Sequence, residues 1–144
     1  MPMSISNYSV AQAPLGWVGA DDTTGVNTYR KEIALTGLVA SDKVRITVIA
    51  RVKVHGNTSP DSISFGVNDG ADKGINWQDA VAVGTLLYFE GFIYDGAQCS
   101  NGVQPGTSAI TMSAVSKAYV IMRAGDVNNT LTLLAVEVQK ISAG

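Results

Sequence analysis

Residues Lys43 to Val54, KVRITVIARVKV, separate by position into two sets. Val44, Ile46, Val48, Ala50, Val52 and Val54 are apolar, while Lys43, Arg45, Thr47, Arg51 and Lys53 are polar or charged, with Ile49 the exception. Side chains on a strand alternate faces with a period of two, so this is a long strand with one dry face and one wet, basic face. A helix would smear both sets around its cylinder, and the run of Val, Ile and Thr disfavours it further. At ~3.3 Å per residue the strand runs roughly 40 Å, long enough to span a core and to take partners on both edges.

The rest of the chain supplies partners of the same kind. Tyr29 to Leu38 reads as a strand joined to the long one by the Ala40-Ser41-Asp42 turn, as an antiparallel neighbour. Ile63, Phe65 and Val67 alternate with Ser64 and Gly66, and Asn68-Asp69-Gly70 ends that strand in a turn, followed by loop through Asn76. Thr85 to Tyr94 is a strand with two apolar faces. Asp95 to Ser108 reads as a long loop, Ile110 to Ala114 alternates, and Lys117 to Arg123 and Thr130 to Ile141 close the chain. In the last of these, Leu134, Val136 and Val138 are expected on one side, opposite Glu137 and Gln139. The expected fold is all-β: an antiparallel β-sandwich, jelly-roll-like, of about seven or eight strands. Residues 1–28, rich in Pro and Gly, read as an extended N-terminal arm with one short strand near Ile5 to Val10; residues 29–144 form the sandwich domain. Tyr8 and Trp17 are the residues expected to dock the arm, as aromatic anchors on a domain surface or a neighbouring subunit.

Composition narrows the function classes. Charged residues make up 15% of 144, below the usual ~25%, so the surface is rich in neutral polar groups of the kind found on extracellular, carbohydrate-facing or virion proteins. Net charge is −2, so no global field draws in nucleic acid; the local exception is the basic face of the long strand. The apolar run Val81 to Tyr94 contains Glu90 and is too short to cross a bilayer, and MPMSISNYSVAQ lacks the features of a secretory signal. No nucleic-acid or membrane partner is expected.

Catalytic chemistry has little to draw on. His55 is the single histidine and Cys99 the single cysteine, which rules out an intrachain disulfide and starves a His/Cys zinc site of ligands. No catalytic residue is assigned and the chain reads as non-enzymatic, although Glu32, Glu90 and Glu137 keep a small hydrolase as a further alternative. Asn68 to Asp79 resembles a calcium loop, but Gly70 and Lys73 stand where an EF-hand needs oxygen and glycine. No metal or other cofactor is therefore assigned; the one Ca2+ option is an irregular site drawing on Asp69, Asp72 and Asp79.

The doubly apolar strand carries the functional expectation. Leu86, Tyr88, Phe92 and Tyr94 share its second face with Glu90. Something must cover them: the arm or a neighbouring loop, a second subunit, or a sugar stacked on the aromatic rings with Glu90 accepting its hydroxyls and Trp77 close enough in sequence to join.

As a whole the chain resembles the small jelly-roll modules of bacteriophage particles, both capsid decoration proteins and fibre or receptor-binding tips. The resemblance is carried by the N-terminal arm, the alternating strand Lys43 to Val54, Gly/Ser/Thr/Asn-rich loops, and closure in TLTLLAVEVQKI. It implies a non-enzymatic virion structural protein, a homo-oligomer, expected as a trimer, bound to a capsid or tail protein lattice. The chain is also similar to carbohydrate-binding modules of secreted enzymes, which implies the alternative: an extracellular lectin-like adhesin whose partner is a surface glycan. No functional residue carries over from either family.

Overall fold

The structure, a computed structural model, describes residues 3–12, 28–101 and 109–143. Those residues form nine strands: β1 (Met3–Gln12), β2 (Thr28–Ala34), β3 (Lys43–His55), β4 (Asp61–Asn68), β5 (Asp72–Asp79), β6 (Leu86–Tyr94), β7 (Ala97–Asn101), β8 (Lys117–Arg123) and β9 (Asn129–Ala143). They make two antiparallel sheets, ordered β1-β9-β3-β6-β7 and β2-β8-β4-β5. With β7 set aside as an added edge strand, first pairs with last, second with second-last, third with third-last, and β4 with β5 at the tip. That nesting is a long hairpin rolled into two layers, the jelly roll.

The long strand sits where its pattern requires. β3 is paired on both edges, with β9 and β6. Val44, Ile46, Val48, Ala50 and Val52 have no solvent exposure and line the space between the sheets. Across from them lie Ile63, Phe65 and Val67 of β4, Ile75 of β5, and Val120 and Met122 of β8. The rings of Phe65 and Phe89 stack at 6.1 Å between the layers.

Several sequence expectations change here. β2 is not a neighbour of β3; it lies in the other sheet and pairs with β8. The connection buries Leu35 and Leu38 while the chain crosses between layers, and Asp42 accepts the Val39 N–H at 2.9 Å to tie its end. Val54 is 43% exposed, because the β3–β9 register shifts between Val52 and Val54 and turns it off the dry face. A second shift at Ile49/Ala50 makes Leu133, not Leu134, the fully buried partner of Val136 and Val138. The segment after Gly70 re-enters the sheet as β5, and β7 occupies part of the expected 95–108 loop. Ile110 to Ala114 is not a strand: Met112–Ala114 is a 3-10 turn that buries Met112 and leads into buried Val115.

Within the segment expected as a free arm, Met3–Gln12 is an edge strand of the domain, antiparallel to β9 from Met3 opposite Ala143 to Gln12 opposite Ala135. The boundary after residue 28 therefore cuts through the sandwich. Tyr8 marks a shift in that ladder, between Asn7 and Ser9. Trp17 lies outside the described residues.

The outer face of the four-stranded sheet is closed at one end by charge. Arg30 of β2 reaches Asp72 of β5 with two hydrogen bonds of 2.6 and 2.9 Å, its guanidinium 5.1 Å from the centre of the Tyr119 ring. Hydrogen bonding to Arg30 holds the Asp72 carboxyl below its ordinary range, and burial pushes the Tyr119 hydroxyl up to about 12. Tyr119 fits because Gly66 and Gly74, cross-strand partners, present no side chains beneath it. A Cβ on Gly74 would run into the Tyr119 hydroxyl and the Phe65 carbonyl oxygen. Gly74→Ala should therefore lower stability by about 1–3 kcal/mol, the usual cost of overpacking, read as a fall in the urea midpoint. An unchanged midpoint would refute this packing.

At the opposite end a buried polar cluster ties two loops. Asp61 and Asn129 are both fully buried. Asp61 accepts the Gly125 N–H at 2.8 Å and the Asn129 amide at 3.2 Å, and its second oxygen lies 3.3 Å from His55 Nδ1. Asn129 also accepts the Asn57 N–H at 3.0 Å. The loops after β3 and after β8 are thereby held against each other.

Candidate functional site

The outer face of the five-stranded sheet gathers most of the residues singled out from sequence. Period two on β6 turns Leu87, Phe89, Gly91 and Ile93 into the core and Leu86, Tyr88, Glu90, Phe92 and Tyr94 outward. Gly91 is required inside, since a Cβ there would come within 2.7 Å of Ile75 Cδ1 and 2.8 Å of the Phe65 ring. On the outside, Tyr88 is 54% exposed and Tyr94 37%, while Phe92 is half-buried.

Strand pairing adds polar groups that β6 lacks. In the β3–β6 ladder, Lys43 faces Tyr94, Arg45 faces Phe92, Thr47 faces Glu90 and Ile49 faces Tyr88. On the far side of β3, Gln139 and Glu137 of β9 face Arg45 and Thr47. Glu90 is the hub: it accepts from Arg45 Nη2 at 3.0 Å and from the Tyr88 hydroxyl at 3.0 Å. The Arg45 hydrogen bond, with help from Tyr88, holds the Glu90 carboxyl below its ordinary range against the opposing effect of burial. The Arg45 guanidinium lies 5.9 Å from the Phe92 ring centre, and its Nε is buried with no hydrogen-bond acceptor among the described residues. The result is an aromatic floor with an oriented cation, a carboxylate and a phenol hydroxyl at its centre. Such a surface can stack on a flat apolar face and hydrogen-bond its rim.

Four of the five residues expected for this platform are thus together; Trp77 is not. It lies on β5 of the other sheet and packs inward on Phe89, ring centres 5.5 Å apart. Nearness in sequence to Tyr88 does not place it nearby, because the chain changes layers between them. Arg45 is the residue that sequence reading missed. Its outward parity was legible, but its contact with Glu90 follows only from the β3–β6 pairing.

The three carboxylates of the calcium option do not converge. For Asp69, burial alone would raise the carboxyl, but hydrogen bonds from the Thr111 N–H and Lys73 outweigh it and hold it low. Those bonds are 2.8 and 2.9 Å. Asp72 is taken by Arg30, and Asp79 accepts the Ala80 N–H at 2.7 Å. No group of three or more His, Cys, Asp or Glu side chains among the described residues could hold a metal ion.

No protein-family model matches the chain, and no curated protein matches it. Solved structures do. Dimeric latent PorU from Porphyromonas gingivalis aligns over 97% of this chain at 12% identity with a TM-score of 0.52. This chain spans only 12% of PorU, and the likeness is one of fold. Looser likenesses are TmCBM61 in complex with β-1,4-galactotriose (9% identity, TM-score 0.45, 95% of this chain and 87% of that one) and the Bauhinia forficata lectin in complex with GalNAc (9%, 0.45, 99% and 100%).

Proposed function

We propose that the chain is a non-enzymatic glycan-binding module whose saccharide lies across Tyr88, Phe92 and Tyr94 on the outer face of the five-stranded sheet. The supporting observation is the hydrogen-bonded Tyr88–Glu90–Arg45 cluster set among exposed rings. A sugar site needs a few fixed polar groups beside an apolar floor, and β3 supplies the ones that β6 lacks. In this role the rings stack on the apolar face of a pyranose, Arg45 donates to a hydroxyl, and Glu90 accepts from one. The cluster's internal hydrogen bonds fix those groups in advance, which reduces the ordering cost of binding.

A glycan array probed with the wild type, Tyr88→Ala and Arg45→Ala tests this. The wild type should bind and leave the glycan uncleaved. Each variant should lose tenfold or more, since truncating an aromatic or arginine anchor costs ~2 kcal/mol or more. A wild type that binds no glycan, or variants that bind as well as it does, would overturn the proposal.

One observation favours a second reading. Leu86, at 63% exposure, extends the aromatic floor at a position where a sugar gains nothing from it. A leucine there suits a protein contact, such as the homotrimer contact of a virion structural protein on a phage capsid or tail lattice. A lower native mass for Tyr88→Ala, with glycan binding either absent from the wild type or undiminished in the variant, would select this reading.

A further inference from the structure

We propose a second binding site, on the opposite sheet, for a carboxylate-bearing saccharide unit. A cleft of about 450 Å³ opens where the outer face of the four-stranded sheet meets the loops after β3 and β8. That volume falls in the ordinary range for small-molecule sites, roughly 300–1,000 Å³.

Its floor is one row of the sheet. Ser62 of β4 has Arg123 of β8 on one side and Gln78 of β5 on the other. At ~4.8 Å between strands, the Cα atoms of Arg123 and Gln78 stand roughly 10 Å apart, and their side chains border the space above Ser62. Asn76 lines the cleft one row along; its Oδ1 accepts from Ser64 Oγ at 2.8 Å, which leaves the Nδ2 hydrogens to donate into the space. Arg123 and Gln78 make no side-chain hydrogen bond or ion pair among the described residues. Ser59 lines the rim. Its hydroxyl donates to Asn57 Oδ1 at 2.8 Å and keeps its lone pairs for a ligand.

The wall is built rather than incidental. Gly125 approaches the Pro60 carbonyl oxygen so closely that a Cβ would collide with it. Beneath the wall, buried Asp61 and Asn129 take up the Gly125 and Asn57 N–H groups. A buried polar network of this kind fixes one loop geometry at a desolvation cost, and the geometry it fixes is the cleft.

The lining selects the ligand. It holds one guanidinium, two amides and two hydroxyls, and no carboxylate or aromatic ring. A guanidinium takes a carboxylate through two parallel hydrogen bonds, and no acid lines the cleft; the carboxylate behind its wall, Asp61, is buried and accepts from Gly125 and Asn129. The amides and hydroxyls suit the vicinal hydroxyls of a sugar. A uronic-acid residue offers both, with its carboxylate on Arg123 and its hydroxyls toward Ser62, Gln78 and Asn76. This chemistry differs from that of the aromatic platform, and the proposal stands whether or not the platform binds glycan.

The test is titration of the isotope-labelled full chain with sodium glucuronate, glucose and sodium acetate, followed by amide NMR shifts. Glucuronate should move the Ser62, Gln78 and Arg123 amides saturably, with glucose and acetate each at least tenfold weaker. Arg123→Gln, at an exposed position, should keep the rest of the spectrum and lose glucuronate binding at least tenfold, whereas Tyr88→Ala should bind it as the wild type does. Absence of shifts at those amides, an acetate curve equal to that of glucuronate, or undiminished binding by Arg123→Gln would each overturn the site.

Discussion

Val48→Asp should leave no folded protein. Val48 is fully buried at the centre of the long strand, with Phe89 and Val136 as its neighbours on either side. A carboxylate there has no cation or donor within the apolar layer, and burying an unpaired charge costs several kcal/mol even after relaxation. A domain of this size has only ~5–15 kcal/mol in total, and the lost packing of the valine adds to the debt. Thr47, one residue away, points to the outer face. Thr47→Lys should fold with a near-wild-type urea midpoint, because it places a cation between Glu90 and Glu137, its two cross-strand partners. Thr47→Asp sets three carboxylates in one row and should cost some tenths of a kcal/mol up to about 1. Circular dichroism and urea titration of the three variants check this. A cooperative, wild-type-like transition for Val48→Asp would mean that the inner face is not dry.

Asp61→Ala should be the most damaging substitution of a polar side chain. At a fully buried position it strips the acceptor from the Gly125 N–H, leaves the Asn129 amide with only the Ser59 carbonyl oxygen, and empties the space that the carboxylate fills beside His55. Each buried donor left unmade costs ~1–3 kcal/mol, so the loss should be on the order of 3 kcal/mol or more. Asp61→Asn keeps one carbonyl acceptor and should lose clearly less. A urea midpoint for Asp61→Ala within half a kcal/mol of the wild type would show that these loops hold without the cluster.

What could be read in advance tracks where the physics is local. Alternation in β3 and β6 is a property of each strand alone, so the core face of Val44 to Val52 and the outward trio Tyr88, Phe92 and Tyr94 were legible. The pairing of those strands is not local, and with it went the neighbour of β2, the Arg45–Glu90 contact and the layer of Trp77. β5 was hidden because its outer face carries Gly74, Asn76 and Gln78, which read as loop, and only Ile75 and Trp77 mark the core side. The 3-10 turn was hidden for the opposite reason: Ile110 and Met112, both buried, imitate alternation over too few residues to tell the two apart. Val54 and Leu134 were misplaced by ladder shifts, which depend on the partner strand. The Asp61–Asn129 cluster joins residues 68 apart in sequence, and no short-range signal marks it.

The ladder that sets Met3 opposite Ala143 has a consequence for how the domain can be carried. Facing residues of an antiparallel pair stand ~5 Å apart, so the chain enters and leaves the sandwich side by side along one edge. Joining those two points to the stem of a surface loop in another protein would insert the whole sandwich without stretching either fold, because the gap matches that of an ordinary hairpin. A domain mounted in this way hangs from a double tether, and its orientation relative to its host is restricted more than a single linker would allow. The attachment point lies at the end of the five-stranded sheet where Ile141 pairs with Lys43 and Lys43 with Tyr94, whereas the cleft lies on the other sheet beside the loop after β3, so such a mounting holds the platform close to its host and leaves the cleft at the far end.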